Sequence, residues 1–359
     1  LSLGSGEDAS EVRLSLEARK GRKTKNTFRW LIDGDQLREW TVAEPSMLWI
    51  SGGLGKGKTM LSLHLIKLLE TRHTPIPVIW HFCESGPGSS GTNGGIVLRS
   101  LILQLLKLDG DLFQYIPEPT VSYSELFGDG YFQTQWVIFE NMARHQSHTR
   151  INCILGGLDE CESDSLGMLL EKLRILFPDP QASDSDSSEE PESGTAKPAK
   201  PTSKLSIICT SRRQHPPCLQ RHLKIYANVD LDDSSNKMDI KGYVRTFVEE
   251  RIRKMSKYAA WPAHRQEKVT EVVANRSGGV YLWASFVIEG LKHCQVVEID
   301  QRLAEFPTEL RAIYLRMLEQ IRQNRRRVVA ILLKWVLCAR YPLSLFELSV
   351  VTGVQPAVS

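Results

Sequence analysis

No stretch of the 359-residue chain approaches the ~18 consecutive apolar residues of a membrane-spanning helix. One-sided charge is also missing. The 45 Lys+Arg against 42 Asp+Glu leave a formal +3, too little for bulk electrostatics to draw the chain to nucleic acid or to a membrane. The first 25 residues are polar and charged, unlike a secretory signal. Cysteine is sparse: seven, an odd number, with no CxxC pair, which argues against a zinc ribbon or a disulfide framework and fits a reducing, cytoplasmic setting. Three of the seven lie in or beside apolar strand-like runs, where cysteine acts as a small hydrophobe. In that setting the Asn275-Arg276-Ser277 sequon carries no weight. No repeat recurs at a period of about 20–50 residues.

What is present is an ordinary globular composition, 42% apolar and 24% charged, which excludes collagen-like and wholly disordered chains. At roughly 100–200 residues per domain the length suggests two or three domains. The chain starts at Leu1 and stops at Ser359 inside a helical-looking stretch, so a fragment of something longer is expected. Residues 1–27 read as a linker with a short helix. Short apolar runs at Met47–Ile50, Val78–Phe82, Ile151–Leu155, Leu205–Thr210 and Lys224–Val229 read as strands. Between them lie helical patterns, such as Leu98, Leu101, Ile102, Leu105 and Leu106 on one face. Strands alternating with helices predict an α/β domain over 28–230, a parallel sheet flanked by helices. Residues 179–204, rich in Ser, Pro, Asp, Glu and Lys, read as a disordered insert that has too few apolar side chains to offset its ordering entropy. From about Asp239 the pattern is all helical, with stripes at Val244, Phe247, Val248, Ile252, Met255 and at Val280, Trp283, Ala284, Val287, Leu291.

The chemistry concentrates in Gly52-Gly53-Leu54-Gly55-Lys56-Gly57-Lys58-Thr59, which fits GxxxxGK[ST] between an apolar strand and an amphipathic helix. Glycines let backbone N–H groups curl around an anion, and the helix start adds partial positive charge. Gly52, Gly53, Leu54, Gly55, Lys56, Gly57, Lys58, Thr59 and Met60 are therefore the candidate nucleotide-binding residues, with Lys58 on the β/γ-phosphates and the Thr59 hydroxyl on Mg²⁺. Such a loop needs a carboxylate at the end of a nearby strand, and Asp159 and Glu160 follow the third one. After the fourth strand, Thr210-Ser211-Arg212 offers two hydroxyls and a cation able to sense a γ-phosphate. Asp159, Glu160 and Arg212 are the candidate catalytic residues, and Thr59 and Asp159 the candidate metal ligands. His145 and His148 are spaced HxxH without a completing ligand pattern and read as surface histidines. Arg325-Arg326-Arg327 reads as a solvated helix face.

As a set these residues resemble the NACHT domain of fungal STAND P-loop NTPases, the NOD-like, heterokaryon-incompatibility type. The resemblance rests on Trp30-Leu31-Ile32, Trp40, Leu48-Trp49-Ile50-Ser51-Gly52-Gly53, Gly57-Lys58-Thr59-Met60-Leu61, Phe82-Cys83, Leu98-Arg99-Ser100-Leu101, Leu158-Asp159-Glu160-Cys161, Thr210-Ser211-Arg212, Gly278 to Trp283, and Trp335 to Leu348. It implies a NACHT domain at 28–230, a helical domain at 235–320 and the start of a winged-helix domain at 321–359. It also implies a signalling switch that binds ATP or GTP with Mg²⁺, changes conformation with nucleotide state and forms a homo-oligomer when activated. Effector and repeat domains would lie outside the fragment, with no nucleic-acid partner. Two positions depart from the family pattern. Gly156 stands where the first acidic residue of the Walker B strand is usual, and Tyr281 stands at or near the helical-domain proline. Gly156 makes binding better supported than turnover and keeps a non-hydrolysing scaffold as the alternative. On this reading Gly156→Asp is expected to raise turnover if Asp159 and Glu160 are placed to position water. An ordinary metabolic kinase is disfavoured by the appended helices.

Overall fold

The computed structural model describes residues 9–20, 28–43, 45–71, 76–84, 92–117, 129–145, 150–178, 203–233, 237–255, 258, 261–292, 294–339 and 343–354. The chain divides into two compact units, Leu1–Cys83 with Asn93–Lys237 and Glu84–Thr92 with Met238–Ser359.

The first unit is built on five parallel strands: β1 Met47–Ser51, β2 Val78–Phe82, β3 Ile151–Gly156, β4 Leu205–Ser211 and β5 Ala227–Asp230. Their order across the sheet is β2-β3-β4-β1-β5. Every residue of β1, β3 and β4 is buried. This is why these three read as continuous apolar runs rather than as alternating patterns: a central parallel strand is covered on both faces. The last three strands each end one residue later than the sequence predicts, because Gly156, Ser211 and Asp230 still pair with neighbours.

Helices α1 Ala9–Lys20, α2 Arg29–Ile32, α3 Asp35–Val42, α4 Lys58–Glu70, α5 Gly94–Leu108, α6 Phe132–Ala143, α7 Ser163–Leu176 and α8 Pro217–Leu223 complete the unit. α5 starts where the Asn93 side chain accepts from the Ile96 N–H (2.9 Å), a cap that satisfies one of the first-turn donors. Leu98, Leu101, Ile102 and Leu105 are buried in one cluster with Trp136, Phe139 and the sheet, each worth about 1.5–3 kcal/mol of burial. Cys83, Cys153 and Cys209 sit in the same cluster as small hydrophobes.

α1 is no mere linker. Its Leu16 is fully buried, and its Arg13 pairs with Glu70 (2.7 Å) while lying over the Trp80 ring. Arg150, at the head of β3, donates to the carbonyls of Trp40, Thr41 and Ala43 and so ties down the end of α3, where backbone acceptors lack helical partners. The end of the expected insert is ordered: Ser203 is buried and the Ile151 N–H bonds the Lys204 carbonyl (2.8 Å). Residues 179–202 lie outside the described residues, as does His148. His145 is half-buried, with Nδ1 2.8 Å from the Tyr115 hydroxyl, and is not a free surface histidine.

The second unit is helical: α9 Lys237–Arg253, α10 Ala263–Arg276, α11 Tyr281–Lys292, α12 Ile299–Glu305, α13 Leu310–Glu319, α14 Gln323–Cys338 and α15 Leu345–Thr352. Both expected stripes are largely inside: Val244, Val248, Ile252, Trp283, Ala284, Val287 and Leu291 are buried. The Trp283 indole N–H donates to the Pro307 carbonyl (2.8 Å), giving the large side chain its polar partner. Tyr281 packs edge-on against Phe247. α14 and α15 differ, for neither has a buried residue. Trp335, Val336, Leu337 and Phe346 are exposed.

Candidate phosphate-binding site

The strand order decides which residues can meet. β1, β4 and β3 are adjacent, with Ser51 opposite Ser211 and Leu155 opposite Cys209. Their carboxyl ends therefore open on one crevice, the usual place for a ligand in a parallel sheet. The glycine loop leaves β1 there, the Asp159 turn leaves β3 and Arg212 leaves β4.

In the loop, Gly55 and Gly57 have positive φ of 76° and 84°, a region that side chains with a Cβ rarely adopt. Leu54 is exposed at the crest of the loop. α4 begins at Lys58, so the N–H groups of Lys58, Thr59 and Met60 start a helix without an intrahelical acceptor. The Lys58 ammonium donates to the carbonyls of Gly52 (2.6 Å) and Gly53 (2.9 Å). Burial pushes its pKa down, Asp159 pulls it up, Arg212 pushes it down, and Asp232 and Glu160 pull it up. Lys58, Asp159, Glu160 and Arg212 thus share one electrostatic neighbourhood.

Asp159 is nearly enclosed, its side chain 6% exposed, and both carboxylate oxygens meet Arg212. Oδ1 accepts the Arg212 backbone N–H (3.0 Å) and Oδ2 lies 2.9 Å from Nε. Glu160 is exposed. The two hydroxyls expected to sense a phosphate turn inward instead. Thr210 is fully buried, accepts the Gly157 N–H (3.2 Å) and pairs with Ser62 (3.2 Å). Ser211 accepts from the Trp49 indole (2.9 Å) and donates to the Arg212 carbonyl (2.9 Å). They tie β4 to α4, β1 and the acidic turn.

Two residues of this site were not evident from sequence. Phe82, buried at the end of β2, pairs with Gly156 across the sheet. A Cβ placed on Gly156 would lie 2.5 Å from Phe82 Cδ1. The aromatic ring thus occupies the space a side chain on Gly156 needs, so Gly156→Asp must first displace it. The second is Asp232, just past β5, whose Oδ2 accepts the Gly53 N–H (2.6 Å). No local signal marked it, because it is 179 residues from its partner.

The donor set does not suit a Mg²⁺ held mainly by protein. Thr59 offers a hydroxyl, Asp159 is committed to Arg212, and the strand-end position carries a glycine under a ring. Among the described residues no group of three His, Cys, Asp or Glu is placed to hold a metal ion.

A glycine loop of this sequence and curl, between a parallel strand and a helix, defines a P-loop NTPase-type module. Residues 26–184 match the family model described as Nephrocystin 3, N-terminal. The chain is similar to the vegetative incompatibility protein HET-E-1 of Podospora anserina, 26% identical over 365 residues. That match takes in 98% of this chain and 25% of the relative, so the chain spans about a quarter of its length. Among solved structures, the Drosophila ORC bound to DNA aligns over 97% of this chain and 78% of its own, with 12% identity and a TM-score of 0.44. A DNA replication initiation factor aligns over 88% of this chain and 94% of its own, with 11% identity and a TM-score of 0.31.

Proposed function

We propose that the chain is the nucleotide-binding core of a NACHT-type signalling switch, with residues 28–230 holding ATP or GTP and the helices from 235 onward responding to it. The observation that carries this reading is the meeting of Lys58, Asp159 and Arg212 at the ends of three adjacent strands. An arriving triphosphate draws the Lys58 ammonium away from the Gly52 and Gly53 carbonyls and favours the charge that burial opposes. The start of α4 adds its N–H groups. Arg212, half exposed, can present its terminal guanidinium nitrogens to a γ-phosphate while Asp159 holds its backbone and Nε. A ligand shifts a conformational equilibrium only by binding one state better, and Arg212 is the group able to tell triphosphate from diphosphate. Homo-oligomerisation on activation, a cytoplasmic setting, and effector and repeat domains beyond these residues belong to the same proposal. Among the described residues no helix is long and apolar enough to cross a membrane.

A second reading, a scaffold that binds nucleotide without hydrolysing it, is favoured by the Phe82 ring over Gly156. Phosphoryl transfer needs a well-placed metal and water, and here the protein contributes little to placing the metal. Calorimetric titration with ATP, GTP and their diphosphates, with light scattering on the same samples, tests the first reading. Tighter triphosphate binding with growth in particle size supports the switch. Binding with no change in size supports the scaffold, and no binding of any nucleotide contradicts both.

A further inference from the structure

The structure assigns Asp232 as a positioning residue that braces the phosphate loop from the β5 side. This rests on the P-loop reading above and adds a residue to it.

β5 pairs with β1 so that Asp230 lies opposite Ser51, and the Leu231 N–H continues the ladder to the Ser51 carbonyl (2.8 Å). The chain past β5 therefore runs alongside the beginning of the glycine loop. The contact is close: a Cβ on Gly52 would lie 2.8 Å from the Leu231 Cβ, and one on Gly53 would lie 3.3 Å from Asp232 Oδ2. Both glycines are thus needed for this approach as well as for the curl around an anion.

Asp232 uses the approach to join two points of the loop. Oδ2 accepts the Gly53 N–H at 2.6 Å, and Oδ1 lies 3.3 Å from the Lys56 ammonium, whose side chain is only 13% exposed. The carboxylate is itself aimed, since the Asp232 N–H donates to Asp230 Oδ1 (2.9 Å). One anion therefore fixes both the entry of the loop and its crest. The N–H groups that open α4, from Lys58 to Met60, are different atoms from the Gly53 N–H, so the brace does not consume the donors at the helix start. Holding a loop in its binding shape before the ligand arrives lowers the ordering cost of binding. An anion at 232 also repels phosphate, so its net benefit comes from pre-organisation and not from contact with the ligand.

The test uses the whole chain as unaltered protein, Asp232→Ala, Asp232→Asn, Lys56→Met and the Asp232→Ala/Lys56→Met double variant. Each is titrated with ATP and with GTP, and loop amide exchange is followed without ligand. Asp232→Ala should weaken triphosphate binding about five- to thirtyfold, the worth of a charge-assisted hydrogen bond at a partly exposed site. Asp232→Asn keeps an acceptor for Gly53 and should recover part of that loss. Lys56→Met should add little to Asp232→Ala, since both remove one contact. Exchange at the Gly53 amide should speed up in Asp232→Ala and much less in Asp232→Asn. Unchanged or tighter binding by Asp232→Ala would overturn the proposal, as would unchanged exchange at Gly53. If the unaltered protein bound no nucleotide, the P-loop reading would fail, and the exchange data would still decide whether Asp232 braces the loop.

Discussion

At the end of β1 four glycines shape an anion-sized loop that is tied down by Asp232 and opens onto a helix start. On the far side of β4, at the end of β3, a single glycine lies beneath the ring of Phe82, and the nearest acid, Asp159, is spent on Arg212. Both ends belong to one sheet and face one crevice. On the function proposed above, the first would hold a phosphate, and the second would offer a metal little anchorage. Binding and turnover need different halves of such a site, so one can persist where the other is impaired. The predictions below either break this contrast or sharpen it.

The largest effect concerns the support of the acidic end. His81 lies on β2 opposite Leu155, is half-buried with its Nε2 enclosed, and has its pKa pushed down to about 4 by burial. Because the folded-state value is depressed below the unfolded ~6.5, the neutral side chain stabilises the fold above that pH. The contribution is lost as pH falls from ~6.5 toward ~4, amounting to about 3 kcal/mol. Urea unfolding of the unaltered chain and of His81→Phe at several pH values across that window checks this. The variant should lose less stability on acidification, and parallel pH profiles would contradict it.

Next comes turnover. Misplacement by about 1 Å can cost on the order of a hundredfold in rate, so supplying a strand-end carboxylate with room for it should regain up to that factor. Phe82→Ala/Gly156→Asp makes both changes, and single-turnover hydrolysis reads the result. Gly156→Asp alone should instead destabilise the fold by about 1–3 kcal/mol through overpacking against the ring, seen as a lower urea midpoint. Faster hydrolysis by the single variant would show that the ring moves aside without cost.

Lys58→Ala probes the intact half and should weaken triphosphate binding about ten- to a hundredfold. Unchanged affinity by calorimetry would remove the basis for the phosphate assignment. The smallest effect is expected from Asp159→Asn. Its partner Arg212 is 48% exposed, and a pair so wetted is worth at most about 1 kcal/mol of stability. The urea midpoint should move little, whereas the preference for triphosphate over diphosphate should narrow.

The contrast between the two ends also explains what could be read from the chain before its structure. Gly52 to Thr59 is contiguous, so its chemistry is visible in eight letters, and the buried strands β1, β3 and β4 announce themselves as apolar runs. The parallel sheet with flanking helices, and the meeting of Lys58 with Asp159 and Arg212, follow from those signals. Phe82 and Asp232 were illegible because their roles depend on register. Phe82 reaches Gly156 only through the pairing of β2 with β3, and Asp232 reaches Gly53 only through β5 beside β1. Thr210 and Ser211 were misleading for a related reason. Hydroxyls at a strand end look available in sequence, yet the alternation of the pleat and the neighbours on either side turn them into internal ties. In the helical unit, the apolar content of α14 and α15 is plain in the sequence, but it carries no information on whether anything covers those helices.

The central claim is that the phosphate half works while the metal half does not. Single-turnover hydrolysis of radiolabelled ATP and GTP by the unaltered chain, with bound nucleotide measured in the same reaction, tests it most directly. The account predicts nucleotide retained on the protein with very slow or undetectable release of phosphate. Brisk hydrolysis that survives Asp159→Ala would contradict it.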